Sequence, residues 1–172
     1  MIRIIKSTDR GKTEIAWLAS FHSFSFGDYF DPERMGFRTL RVINEDFIVP
    51  GQGFPSHDHA DMEIITYVID GELEHKDSLG TGSTIKRGEI QRMSAGKGIT
   101  HSEFNASKTI PVHLLQIWIE PERKGMKPQY EQNVIPEKRD EWVLLASRQG
   151  AVIKVFQDVK ISLIRLSKDK KG

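Results

Sequence analysis

Two pairs of residues in this chain have the types and the spacing to hold a metal ion. His57 and His59 stand two apart in Gly51-Gln-Gly-Phe-Pro-Ser-His57-Asp-His59-Ala-Asp-Met-Glu63, and His101 and Glu103 stand two apart in Ala95-Gly-Lys-Gly-Ile-Thr-His101-Ser-Glu103-Phe-Asn105. On a β-strand, side chains two apart project from one face, so each pair aims both its groups into one volume. Asp61 and Glu63 continue the first period, and by parity alone either Glu63 or Glu103 can supply a carboxylate. Two such strands facing one another bring together three imidazole nitrogens and one carboxylate oxygen. That set suits a borderline divalent ion, Fe(II), Ni(II), Cu(II), Mn(II) or Zn(II), and on an octahedral ion it leaves two positions open to water, substrate or dioxygen. Each imidazole is expected to donate its other N–H to an acceptor such as a main-chain carbonyl or Asp61. A lone His-x-His on a strand is commonly a solvated pair; the second cluster, one strand pair later and after a Gly-x-Gly turn, is what gives the metal reading its weight.

Strands must position these residues. Apolar positions come in short runs at 37–49, 62–70, 72–76, 83–86, 89–95, 99–104 and 112–120, separated by turn signals such as Pro50-Gly51, Asp70-Gly71, Arg87-Gly88 and Ala95-Gly96-Lys97-Gly98. Seven short strands joined by tight turns pair antiparallel, so the expected class is all-β, a sandwich or barrel. One helical turn is expected at 136–141. After Glu120 the texture changes to a polar connector, Pro-Glu-Arg-Lys-Gly-Met-Lys-Pro, followed by strand-like segments at 142–145, 151–156 and 160–166. The barrel proper is expected to end near Glu120, and the polar residues 167–172 are expected to be disordered.

Composition removes several function classes. A chain of 172 residues can bury a real core, and with no cysteine it has no disulfides, thiolate metal sites, iron–sulfur clusters or cysteine nucleophiles. Net charge is +1 with 28% charged residues of both signs, so there is no basic field to drive direct nucleic-acid binding. Met1 to Lys6 form no apolar leader and no run reaches membrane-spanning length, so a cytoplasmic location and no membrane contact are expected. Among the remaining candidates, His22 reads as structural within the aromatic run Phe21 to Phe26, His75 as exposed among charged residues, and His113 as packing on or lining the barrel. Phe54 could wall a flat aromatic substrate; Gln116 and Met93 are candidates to reach the cavity.

The two metal stretches resemble the paired motifs of the cupin superfamily, with Gly51, His57, His59, Glu63 and, one place displaced, Gly71 in the first and Gly98, His101 and Asn105 in the second. The second departs at Ser94-Ala95, where a proline is common, and in the upstream position of Gly88. Those departures, together with Phe21-His-Ser-Phe-Ser-Phe26, Tyr29-Phe-Asp-Pro32, Met35-Gly36, Leu40-Arg-Val-Ile-Asn44, His75-Lys-Asp-Ser78, Met93-Ser-Ala-Gly96 and His101-Ser-Glu103, resemble the pirin family up to about Glu120, and more weakly through Tyr130-Glu131-Gln132.

The resemblance implies a cupin barrel, that is, a double-stranded β-helix or jelly roll. Residues 1–120 would be the pirin-type N-terminal cupin barrel and 121–172 a connector with the opening strands of a truncated second cupin domain, which pirins carry in full. Apolar surface left uncovered would then favour a homo-oligomer. One divalent ion is implied, iron(II) first, with Ni, Cu, Mn and Zn as alternatives, held by His57, His59, His101 and Glu103; Glu63, the place most cupins use, is the runner-up ligand. The implied activity is that of a quercetin 2,3-dioxygenase, in which a flavonol chelates the ion through its 3-hydroxyl and neighbouring carbonyl, Glu103 is both ligand and base, and dioxygen opens the central ring with release of carbon monoxide. A different implication is an iron-dependent redox sensor or transcription-cofactor-like protein without turnover, whose surface changes for a protein partner; the sequence contains no recognisable partner motif.

Overall fold

The structure, a computed structural model, describes residues 4–168. Residues 1–3, within the segment read for a leader, and 169–172, within the tail expected to be disordered, lie outside the described residues. Ser167, the first residue of that tail, is held in place, its N–H and hydroxyl donating to the Asp140 carboxylate at 2.9 and 2.7 Å.

Among the described residues the chain forms one 3-10 turn, Ser7–Asp9, and fourteen strands. These are β1 (Gly11–Ile15), β2 (Leu18–His22), β3 (Leu40–Ile48), β4 (Gly53–His59), β5 (Glu63–Asp70), β6 (Glu72–Asp77), β7 (Gly82–Lys86), β8 (Glu89–Ser94), β9 (Ile99–Asn105), β10 (Val112–Ile119), β11 (Gln129–Val134), β12 (Trp142–Ser147), β13 (Ile153–Lys154) and β14 (Lys160–Ile164). The helical turn expected at 136–141 is absent. Asp140 adopts a left-handed backbone with φ of 60°, and so short a stretch cannot meet the cost of helix nucleation. No described helix is long and apolar enough to cross a membrane.

A seven-stranded antiparallel sheet in the order β1-β2-β3-β10-β5-β8-β11 faces a four-stranded one in the order β4-β9-β6-β7, in the manner of a cupin barrel. A third sheet, β13-β12-β14, lies against the outside of the first. Alternation decides which side chains enter the barrel. On β10, Val112, Leu114, Gln116 and Trp118 point inward, while Ile117 and Ile119 point outward and pack with Ile65, Ile90, Val143, Leu145 and Ile153 under the third sheet. Register then draws a polar row across the inner face of the large sheet. His22 lies opposite Asn44, Asn44 opposite Gln116, Gln116 opposite Thr66, and Thr66 opposite Gln91. Leu18, Ile48, Val68, Leu73, Ile85 and Leu114 fill the interior on one side of this row, and Ile64, Met93, Ala95 and Ile99 fill it on the other.

Glu63 goes to the opposite face. The turn between β4 and β5 places Asp61 at a left-handed φ of 49°, which resets the two-residue period that the sequence reading carried through it. Glu63 therefore shares the outer face of β5 with Ile65, where Arg92 lies nearby and its carboxylate accepts the Phe156 N–H at 3.3 Å. Arg92 in turn donates to Glu131 at 3.0 Å, and Glu131 accepts the Lys154 N–H at 3.0 Å. These groups form a polar seam between the barrel and the segment entering the third sheet.

Two glycines fix how β4 and β9 approach. Gly96 turns the chain into β9 at a φ of 50°, and its carbonyl accepts the Asp61 N–H at 2.8 Å. Gly53 pairs with Phe104 so closely that a methyl group there would collide with the Glu103 carbonyl oxygen and the Phe104 Cα. Gly53→Ala is expected to lower unfolding stability by about 1–3 kcal/mol in urea titrations, the range for overpacking, because backbone cannot swing aside as a side chain can. An unchanged midpoint would show that β4 tolerates displacement from β9.

Candidate metal centre

The histidines meet because β4 carries a bulge. Phe54 lies opposite Glu103 and His57 opposite His101, so Pro55 and Ser56 together face the single residue Ser102. This two-for-one step lets Phe54 and His57, three apart in sequence, share the inner face. It also turns the Pro55 carbonyl toward its neighbour, so that His57 Nδ1–H donates to it at 2.7 Å and Nε2 is left facing inward. His59 follows on the same face. The ring centres of His57, His59 and His101 lie 4.5–5.0 Å apart, and one nitrogen from each falls within 4.8 Å of the others.

Electrostatics leave these nitrogens unprotonated and free. Burial, seconded by the charge of His57, lowers the His59 pKa to about 4, and burial with the neighbouring histidines lowers that of His101 to about 3. Both imidazoles are neutral near pH 7, and their Nε2 atoms are buried without a hydrogen-bond partner. Buried nitrogens without partners are rare because they lose water and gain nothing. Their convergence with His57 Nε2 fits a divalent cation, which takes neutral imidazole as ligand.

Glu103 shares the inward phase of β9 with His101, the face that strand parity gives it. Fully buried on β9, its carboxylate reaches across the barrel into the polar row, accepting from Gln91 Nε2 at 2.9 Å, Thr66 Oγ1 at 3.4 Å and Gln116 Nε2. Trp118 fixes this arrangement by donating its indole N–H to Gln116 Oε1 at 3.0 Å, which leaves the Gln116 amino group to face the carboxylate. Burial raises the Glu103 pKa, opposed by the nearby His75 and by the Gln116 and Gln91 hydrogen bonds. The structure gathers Glu103 with His75 and His101, again within 4.8 Å, so the four sequence-selected residues are divided between two groups that share His101, the second completed by His75. Glu63 and Asp61 join neither group. Asp61 instead accepts the Gly125 N–H at 2.7 Å.

His75 corrects the sequence reading, which placed it at the surface. It is completely buried, stacked on Tyr130 at 4.8 Å between ring centres, with Nε2 3.0 Å from Asp77 Oδ2 and Nδ1 3.5 Å from His101 Nδ1. Asp77 is itself pinned by the N–H groups of Leu79 and Thr81. The chain His101, His75, Asp77 thus holds His101 by the nitrogen that faces away from His57 and His59. Its signal was the alternation of β6, where Leu73, His75 and Asp77 share one phase and Glu72, Glu74 and Lys76 the other.

A cavity of about 370 Å³ opens beside the histidines. Phe54 and Gln116 line it as expected, with Leu18, Phe26 and Trp118; Met93 does not, being packed among Ile64, Ala95 and Ile99. His113 lies outside the barrel, stacked on Phe47 at 4.0 Å and bonded to Glu45 at 2.8 Å. His22 is buried between Asn44 and Thr13 and also lines the cavity. Ser20 and Asp46, neither singled out from the sequence, line it too.

The sequence profile of the pirin family matches residues 5–119. The chain is 47% identical over 174 aligned residues to the quercetin 2,3-dioxygenase of Escherichia coli K12, covering all of this chain and 75% of that protein. Among solved structures it is similar to the bacterial pirin YhhW of E. coli in complex with nickel(II), with a TM-score of 0.87, 48% identity and coverage of 91% of this chain and 68% of that one. It is also similar to GK1651 of Geobacillus kaustophilus, with a TM-score of 0.74, 28% identity and coverage of 94% and 66%.

Burial pushes the Asp46 carboxyl up to about 7, helped by the charges of Glu103 and Glu45 and opposed by the Ser20 hydrogen bond. A carboxyl with a raised folded-state pKa holds its proton more tightly folded than unfolded. Its share of stability is therefore present in acid and lost as pH rises from about 4 to about 7. Asp46→Asn in metal-free protein should accordingly gain in melting temperature over the parent on going from pH 5 to pH 8, by on the order of 5 °C. Equal offsets at the two pH values would show that the carboxyl ionises alike in both states.

Proposed function

The chain belongs to the pirin family of cupin-fold proteins, and on that premise we propose that it is a metal-dependent flavonol dioxygenase of the quercetin 2,3-dioxygenase type. The observation that carries this reading is the convergence of three imidazoles, two of them with buried and unpartnered Nε2 atoms, at the edge of an apolar cavity that can take a flat aromatic molecule. The E. coli relative named as a quercetin 2,3-dioxygenase and the nickel(II) complex of YhhW support the activity and the metal respectively.

In this reading His57, His59 and His101 hold one divalent ion with Glu103 as the fourth ligand. We assign iron(II), since histidines with a carboxylate and open positions are the arrangement of non-haem iron oxygenases, and nickel(II) is the second candidate. When bound, the ion supplies the Lewis acidity that lowers the pKa of a flavonol 3-hydroxyl. The protein's own groups do the rest. Phe26, Phe54, Leu18 and Trp118 seat the aromatic rings and exclude water. Glu103, whose pKa burial has raised toward the working range of a base, accepts the hydroxyl proton while Gln91, Gln116 and Thr66 hold its oxygens in place. The His75–Asp77 pair orients His101.

Protein purified with its native ion is expected to show one equivalent of iron or nickel by elemental analysis and to consume flavonol and dioxygen together with release of carbon monoxide. His57→Ala should abolish both metal and turnover. Stoichiometric metal without flavonol loss would sink the enzymatic reading, and absence of metal would sink the site itself. Glu103→Gln keeps the shape of the side chain and should keep most of the metal, yet lower kcat by on the order of 100-fold or more, the contribution of a positioned acid–base group. Full activity in that variant would remove Glu103 as the base.

A further inference from the structure

The cavity has a second polar end, away from the histidines, that the ring-opening chemistry leaves without a role. Thr13 on β1, Ser20 and His22 on β2, and Asn44 and Asp46 on β3 all line it. These groups hold one another in place. Asn44 Oδ1 accepts from His22 Nδ1–H at 2.8 Å, which leaves His22 Nε2 to accept from the Thr13 hydroxyl at 2.9 Å. The Ser20 hydroxyl donates to Asp46 Oδ1, and among the described residues no donor meets Asp46 Oδ2. A carboxyl only 2% exposed, with one oxygen bonded and the other unpartnered beside a cavity, lacks one hydrogen bond that a ligand can supply.

The spacing of the two ends fits the same ligand class. Asp46, opposite Leu114 on the neighbouring strand, is one strand across and two residues along from Gln116, the residue that donates to Glu103, a diagonal of about 8 Å. Between them the walls are apolar, formed by Leu18, Phe26, Phe54 and Trp118. The shape suits a planar molecule of two or three rings that carries hydroxyl groups at both extremities.

Resting on the flavonol reading of the metal end, we propose that this second end is a binding site for the phenolic hydroxyls on the substrate's remote ring. Asp46 is the acceptor, and Ser20 with the His22–Asn44 pair keeps it aimed. This makes Asp46 a specificity-determining residue that selects polyhydroxylated flavonols over those with a bare pendant ring. Burial raises this carboxyl to about 7, so at pH 8 it is ionised and accepts.

Calorimetric titration of the nickel(II)-loaded protein without dioxygen, at pH 8, tests this with quercetin and with galangin, the flavonol that lacks hydroxyls on its pendant ring. Wild-type protein is expected to bind quercetin at least about tenfold more tightly, the effect of one hydrogen bond to a charged group. Asp46→Asn should remove most of that preference while changing galangin affinity by less than about twofold, and Asp46→Ala, which deletes the acceptor altogether, should do the same. An unchanged preference in both variants, or equal weakening of both flavonols, overturns the assignment of Asp46. Equal affinity of wild-type protein for the two flavonols, with both consumed when dioxygen is admitted, overturns this subsite and leaves the dioxygenase reading standing. Failure of wild-type protein to bind either flavonol overturns both.

Discussion

A carboxylate buried in the centre of a small barrel must be surrounded by donors, and much of this molecule's interior follows from that requirement at Glu103. Its oxygens are met by Gln91, Thr66 and Gln116, which come from three neighbouring strands of the opposite sheet. Removing any one donor leaves part of a buried charge without hydrogen bonds, which is far more damaging than never having had the pair. The requirement therefore fixes the distance between the sheets and the register of β5, β8 and β10 against β9. It also reaches outward, since Gln116 can face Glu103 correctly only with its carbonyl turned to the Trp118 indole, and Trp118 is the ring against which His59 packs edge-on at 4.8 Å.

Around this centre the two sheets divide their duties. The small sheet brings His57, His101 and Asp77 into one row and Phe54, Glu103 and His75 into the next, and His59 stands beyond them on β4 opposite Ile99, so three neighbouring strands carry the residues grouped for an ion. The large sheet contributes no imidazole to that set. It offers amides and hydroxyls that stiffen it, and farther along the same row the cavity wall on β2 and β3. Reactive groups thus sit on one layer and the groups that shape the space sit on the other.

The sequence made much of this legible. Strand periodicity, turn glycines and the two His-x-His/Glu pairs led to an all-β barrel and to His57, His59 and His101 on one face, because period-two patterning survives wherever a strand is regular. It failed where the backbone breaks that period. The left-handed turn at Asp61 sent Glu63 to the far face, and the bulge at Pro55 and Ser56 placed Phe54 with the histidines in spite of an odd spacing. His75 is hidden by its sequence neighbours, because the charged residues flanking it give the segment a surface character although they occupy only the outward phase of β6. Asp46 escaped notice since a carboxylate at an inward position signals something only once the strand's phase is known, and β11 was missed because Gln129–Val134 carries little apolar content and owes its form to pairing with β8.

The seam on the outer face has a consequence for how this protein can drift. Glu63 and Glu131 grip the segment after β12 through the peptide N–H groups of Phe156 and Lys154, groups that every residue except proline supplies. The main-chain half of that attachment therefore survives any residue but proline at 154 and 156, while its side-chain half rests on the Phe156 ring beneath the Arg92 guanidinium and the Lys154 ammonium. That freedom stops at the neighbouring residues, since Ile153 and Val155 are buried in the core under the third sheet and carry the same stretch by their side chains.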